Sequence, residues 1–201
     1  MIIESMSKEG FYIDMTLCLG CRACQTACKD KNNLPEGVLF RKVRTCETGT
    51  FPEPGTYHYS SACNHCETPM CTRACPTGAM HIAKDLTVQH DAEMCIKCRY
   101  CVNACPYGVP QYVEAFKRIA QCDACIDLRE SGQNPVCVDA CVMNLIEWGP
   151  LEALRSKHRQ AMPVNVIALL PDASKTKPSL LIKPKQKALL PEFTRMEPLN
   201  G

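Results

Sequence analysis

The sequence predicts a loop-rich α+β fold, made of a duplicated small unit and ending in an extended C-terminal arm. Three observations carry this. Cysteine occurs 17 times in 201 residues, while tryptophan occurs once and aromatics make up 6%, so the interior is organised around something other than large side chains. The cysteines recur in four groups of four, and a pattern that repeats along a chain is the signature of duplication. Between the groups lie short strand and turn signals, none long enough for a large sheet or a long helix.

The first group, CLGCRACQTAC, holds Cys18, Cys21, Cys24 and Cys28. The second, CNHCETPMCTRACP, has a wider middle gap and holds Cys63, Cys66, Cys71 and Cys75. The third, CIKCRYCVNACP, holds Cys95, Cys98, Cys101 and Cys105. The fourth, CDACIDLRESGQNPVCVDAC, holds Cys122, Cys125, Cys137 and Cys141, with a long insertion before its third member. The third group matches in full the bacterial ferredoxin run C-x2-C-x2-C-x3-C-P, in which the fourth cysteine ligates the other cluster of a [4Fe–4S] pair. Two-residue gaps let a loop turn Cys95, Cys98 and Cys101 inward around three corners of one cubane. Cys105 then belongs to the neighbouring cluster, and Pro106 suits the change of direction because it fixes φ and lacks an N–H. The second group also closes in Cys-Pro, at Cys75 and Pro76, whereas Lys29 and Val142 follow the last cysteines of groups one and four. Sixteen cysteines thus supply four clusters in bacterial-ferredoxin-like two-cluster units. Cys46 is left over, a small buried or half-exposed thiol.

Other uses of so many cysteines fit less well. A disulfide framework disagrees with the odd count and with the tight C-x2-C-x2-C steps, and MIIESMSKEGFYID lacks the apolar run and cleavage site of a signal peptide. Zinc wants two separated pairs per ion; group two alone passes for a zinc knuckle, groups one and three do not, and the expectation is four cubanes without zinc. The formal charge of +2 counts every cysteine as neutral; four oxidised, thiolate-held clusters would bring it to about −6. Lysine and arginine are scattered, with no basic stripe interleaved with aromatics, which argues against a nucleic-acid partner. No stretch approaches the roughly 20 apolar residues that span a bilayer. Saturated cysteine ligation leaves no open iron site, and no nucleophile–base pair is visible, so the chain is expected not to be an enzyme by itself.

The segments between the groups read in order. VLFRKVRT alternates as a strand and TFPEPGTY is a loop, which together separate group one from the middle pair. HIAKDLTVQHD is a short hairpin turning at Asp85. GPLEALRSKHRQ opens with Pro150 in a favourable first-turn position and spaces Leu151 and Leu154 helically, a short surface helix. The tail beyond it, rich in proline and lysine with apolar SLLI and ALL, reads as an arm laid on a partner, against a frayed terminus or a contact with anionic lipid. The domain division is then 1–62 with 107–148 as the outer unit, 63–106 as the inner unit, and 149–201 as helix and tail. The five histidines are scattered; His65, inside group two, is the one placed to tune a cluster. Arg22, Lys97 and Arg99 lie inside cysteine loops, either as donors toward sulfur or as solvated charges.

FYIDMTLCLGCRACQTACKD, CNHCETPMCTRACPTGAMH, CIKCRYCVNACPYGVPQY, CDACIDLRE with PVCVDAC, WGPLEALRSKH and KPSLLIKP together resemble the four-cluster iron–sulfur subunits of the complex iron–sulfur molybdoenzymes, the dimethyl sulfoxide reductase branch above all. The resemblance spans roughly residues 11 to 187. It implies that the outer groups pair with each other and so do the inner ones. Cys18, Cys21 and Cys24 would take Cys141, while Cys122, Cys125 and Cys137 would take Cys28. Cys63, Cys66 and Cys71 would take Cys105, while Cys95, Cys98 and Cys101 would take Cys75. It further implies electron transfer in anaerobic respiration between a quinol-oxidising integral membrane anchor, on the side of the third group, and a molybdopterin catalytic subunit, on the side of the first. Cys101 is informative, since nitrate reductase relatives carry tryptophan there and hold a three-iron cluster, and formate dehydrogenase relatives append a membrane helix. Relatives acting with polysulfide, thiosulfate or tetrathionate share the cysteine pattern, so the substrate stays open. So does a free polyferredoxin-like carrier. The chain is expected on the cytoplasmic membrane through its partners, on the cytoplasmic side or exported with a partner bearing a twin-arginine signal.

Overall fold

A computed structural model describes residues 7–163, 167 and 170–190, together with the backbone of 195–196. The first strand, β1 (Glu9–Asp14), alternates its side chains between two buried surfaces, as a strand with both faces covered must. Phe11 and Ile13 enter a core shared with Met15, Val43, Tyr57, Tyr59, Ile146, Leu180 and Ile182. Tyr12 points the other way, onto Leu151, Leu154 and Leu181.

Helix α1 (Ala23–Lys31) carries Cys24 and Cys28 on its buried side. Strands β2 (Lys42–Thr48) and β3 (Gly55–Ser61) form an antiparallel pair that places Cys46 opposite Tyr57. The strand expected over VLFRKVRT thus starts later, at Lys42, and the expected loop gives way to β3 already at Gly55. Short helices α2 (Met70–Arg73) and α3 (Tyr100–Ala104) flank the hairpin of β4 (Met80–Ile82) and β5 (Val88–His90), which occupies HIAKDLTVQHD as read. A second hairpin, β6 (Gln111–Val113) and β7 (Arg118–Ala120), leads to α4 (Ile126–Glu130), α5 (Val136–Asp139) and β8 (Ile146–Pro150). Helix α6 (Leu151–Lys157) follows at once, with Leu151 and Leu154 buried against the sheet and its other side exposed.

The tail, expected as an arm laid on a partner, has one stretch built into this chain's own sheet. After β9 (Met162–Pro163), residues Leu180–Lys183 form β10, which pairs in parallel with β1 in the register Phe11 to Leu180. The largest sheet therefore runs β8-β1-β10-β9, and Leu180, Leu181 and Ile182 are all buried in this chain's own core. Asp14 and Lys183 close the pair with an ion contact of 3.0 Å. Ahead of β10 the chain runs along the second cysteine loop. There Glu67 and Thr68 donate their N–H groups to the carbonyls of Lys177 and Thr176, and Ser179 donates its N–H to that of Asn64. Strand β11 (Arg195–Met196) pairs with β2; the rest of 191–201 lies outside the described residues.

Candidate functional site

The four cysteine groups share one backbone device. The residue just before the second cysteine has left-handed φ in every group: Gly20 at 68°, His65 at 41°, Lys97 at 62° and Ala124 at 56°. That conformation costs about 1–2 kcal/mol for a residue with a Cβ, and it curls the loop so that amides face inward. His65 donates its N–H to Cys63 Sγ at 3.4 Å, and Gly20 serves Cys18 in the same way. Amides converging in a concavity of this kind suit a group with anionic sulfurs.

The fourth cysteines of groups two, three and four begin tight turns. The N–H of Gly78, Gly108 and Asn144 returns to the carbonyl of Cys75, Cys105 and Cys141 at 3.4, 3.1 and 2.8 Å. All three returning residues have positive φ, which glycine and asparagine tolerate best. Beyond the turn, Met80 donates its N–H to Cys75 Sγ at 3.4 Å and Leu145 to Cys141 Sγ at 3.3 Å. Group one departs from this pattern, because α1 continues past Cys28 and Asn32 returns its side-chain amide to the Cys28 carbonyl at 2.8 Å.

Helix α1 packs against α5, and α2 against α3, which brings groups one and four together and groups two and three together. Cys18, Cys21, Cys24 and Cys141 line one small apolar cavity with Leu19, Val142 and Met143. Burial pushes the Cys28 thiol up to about 12, with Arg41 pulling it down and Cys137 and Cys125 pushing it further up. Burial likewise pushes Cys71 up to about 12 and Cys66 to about 11, and Cys105 adds to both. Cys101 is pushed up to about 11, by burial first, with Cys75 and Cys95 adding to it. Cys63 rises well above the ordinary thiol range, through burial and then through its neighbour Cys122, which places the second group beside the fourth. Among the described residues, no three cysteine, histidine, aspartate or glutamate side chains converge tightly enough to hold a single metal ion.

Exposure is graded across these sites. Cys21 and Cys98, the second cysteines of groups one and three, are exposed, whereas Cys66 and Cys125, their counterparts in groups two and four, are buried. Apolar side chains rim both exposed groups: Leu17, Leu19, Val142 and Met143 around the first, and Met94, Ile96 and Tyr100 around the third.

Other residues singled out in the sequence have definite places. His65 is fully buried, and burial depresses its pKa to about 3, so the ring is neutral. Its Nδ1 accepts from the Val88 N–H at 3.1 Å, and Ser179 Oγ donates to its carbonyl at 2.9 Å, so it pins the loop between Cys63 and Cys66. Arg22, Lys97 and Arg99 are exposed, and Arg99 lies over the Tyr112 ring at 4.1 Å. Cys46 is buried in β2, outside the four groups. The cation that reaches the thiols from inside is Arg41, which sequence reasoning missed. It sat in an alternating strand pattern like any exposed arginine, and the only signal was electrostatic: sixteen thiolates in one small chain, nine of them buried, call for an internal positive charge.

The thiol donors and inward amides fit iron–sulfur clusters, and the comparisons with known proteins agree. Residues 55–151 match the family model described as a 4Fe-4S dicluster domain. The chain is 42% identical over 186 residues to the B component of the anaerobic dimethyl sulfoxide reductase of Escherichia coli strain K12, covering 89% of each sequence. It is 37% identical over 166 residues to the B component of the sulfite dehydrogenase of Allochromatium vinosum, covering 72% of this sequence and 69% of that one. It is 31% identical over 185 residues to the B component of the polysulfide reductase of Wolinella succinogenes, covering 90% and 96%. With its repeated cysteine loops folded around paired sites, this protein belongs to the family of iron–sulfur electron-transfer subunits that includes the B component of dimethyl sulfoxide reductase.

Proposed function

We propose that this chain relays electrons through four [4Fe–4S] clusters between a quinol-oxidising membrane anchor and a molybdopterin catalytic subunit that reduces a small oxidised substrate of the dimethyl sulfoxide class. The ligand sets are Cys18, Cys21, Cys24 with Cys141; Cys122, Cys125, Cys137 with Cys28; Cys63, Cys66, Cys71 with Cys105; and Cys95, Cys98, Cys101 with Cys75. Helix pairing and the thiol neighbourhoods support these sets. The C-x2-C-x2-C steps of groups one and three favour cubanes over zinc, which takes two separated pairs per ion.

The observation that carries the relay reading is the graded exposure. Two sites open to the surface at Cys21 and Cys98 while the two between them are enclosed, as a wire with two ends requires. When bound, the clusters supply one-electron redox chemistry. The chain's own residues hold the sulfurs, keep water from the enclosed pair and aim amide donors at them. The apolar rims at the two ends suit partner subunits, one at each. The names of the relatives support a complex of the reductase type. We further place the chain on the cytoplasmic membrane through those partners, on the cytoplasmic face or carried across with a twin-arginine-signal partner; among the described residues no helix is long and apolar enough to cross a membrane.

The test is to tag the chain, purify it anaerobically from solubilised membranes of its host, and measure metals in one sample. Iron at or above about 16 per chain with roughly one molybdenum is expected. Iron near 16 without molybdenum would replace the complex with a free carrier, and iron near zero with stoichiometric zinc would overturn the cluster assignment.

A further inference from the structure

Arg41 is the only arginine, lysine, aspartate or glutamate that is fully buried among the described residues, at 1% exposure. Its Nη1 donates to the Ser60 carbonyl at 3.3 Å and to Ser60 Oγ at 3.1 Å. Ser60 Oγ lies 3.4 Å from Cys24 Sγ, so a short polar bridge joins the guanidinium to a thiol of the first group. The guanidinium carbon stands 4.6 Å above the Phe11 ring. Its Nε and Nη2 are buried without a hydrogen-bond partner, and no carboxylate pairs with it among the described residues. The backbone N–H of Arg41 serves Cys28, and the groups that act on its side chain are Cys137, Cys122, Cys24 and Cys28, drawn from groups one and four.

A cation taken out of water without a counter-ion is strongly disfavoured. The arrangement becomes favourable when the facing sulfurs carry negative charge, as they do around a bound cluster. We propose that Arg41 is a fixed internal cation set between the two outer cluster sites, raising the reduction potential of both. The reason is Coulombic: a cluster held by four thiolates gains a further negative charge on reduction, and a nearby positive charge stabilises that form in a medium of low dielectric. Arg41 acts through space on the clusters and donates no electron itself, so it is a positioning charge. This proposal rests on the outer pairing of groups one and four given above.

The experiment is a potentiometric titration of the intact complex followed by electron paramagnetic resonance, comparing the parent protein with Arg41→Met and Arg41→Lys after iron has been counted in each. In the parent, iron well below about 16 refutes the ligation reading before Arg41 is addressed. With iron retained, Arg41→Met is expected to shift the two outer clusters toward oxidised by at least tenfold at fixed ambient potential, about 59 mV for a one-electron couple, and the inner pair by much less. Arg41→Lys, which keeps the charge and loses the planar fork, is expected to stay near the parent. Unchanged outer potentials in Arg41→Met overturn the proposal, and so does an Arg41→Lys variant that shifts as far as Arg41→Met. If Arg41→Met loads poorly, loss confined to the outer pair and restored by lysine supports a charge role, whereas loss of all four clusters without rescue by lysine assigns Arg41 to structure alone.

Discussion

Cys105→Ser tests the crossed ligation most directly, because the cut is made in group three and the damage is expected in group two. Cys105 acts on Cys71 and Cys66 across the α2–α3 contact, while Cys101 of its own group has Cys75 and Cys95 as its thiol neighbours. Each thiolate holds one iron corner, so losing it should cost one iron, from about 16 to about 15 per chain, and convert one cubane in four to a three-iron cluster. Double variants then identify the cluster. Cys105→Ser with Cys66→Ser strikes the same site twice and should leave three cubanes, whereas Cys105→Ser with Cys98→Ser strikes two sites and should leave two. Spin quantitation of fully reduced and fully oxidised samples reads both counts. The reverse result, two cubanes with Cys66→Ser and three with Cys98→Ser, would refute the crossed assignment.

Three further perturbations test the scaffold. In Gly10→Ala the new methyl would sit 2.0 Å from the Ser179 carbonyl oxygen, a backbone atom, so a loss of about 3 kcal/mol or more is expected in denaturant titration. Arg129→Met breaks contacts to Asp85 at 2.7 Å and Glu9 at 3.5 Å beneath Trp148; with the carboxylates partly exposed, about 2 kcal/mol should be lost. Burial pushes the Asp85 carboxyl up, but bonds from Thr87 and Arg129 outweigh it and hold it below the ordinary range. Its contribution is therefore full above the unfolded value and disappears as pH falls through the lower folded value, so the cost of Arg129→Met should shrink in acid; a cost that stays level with pH would contradict this linkage. Ending the chain after Met162 removes Leu180, Leu181 and Ile182 from the core, at about 1.5–3 kcal/mol each, which approaches the whole stability of a domain. Iron-loaded, folded protein from that truncation would show that β10 is dispensable.

The cysteine loops were legible because their spacing is a chemical requirement written in consecutive residues. The turns after Cys75 and Cys105 were half legible: proline marked them, while Gly78 and Gly108 supply the left-handed residue that closes them. The hairpin about Asp85 was legible for the same local reason. Strand β10 was not. KPSLLIKP looks like an arm because lysine and proline flank only three apolar residues, and its partner Phe11 lies 169 positions earlier in the register with Leu180, beyond any local signal. Arg41 was illegible for a related reason, since its neighbours Cys24, Cys28, Cys122 and Cys137 come together only in the fold.

The bonds from residues 176–179 to residues 64–68 impose an order on biogenesis. A ribosome produces the second cysteine loop more than a hundred residues before the strip that covers it, so that loop waits open throughout most of synthesis. The arrival of Thr176 to Ser179 then acts as a latch on it. In the finished chain, reopening that loop means lifting residues 176–179 away and, with them, loosening the start of β10 from β1.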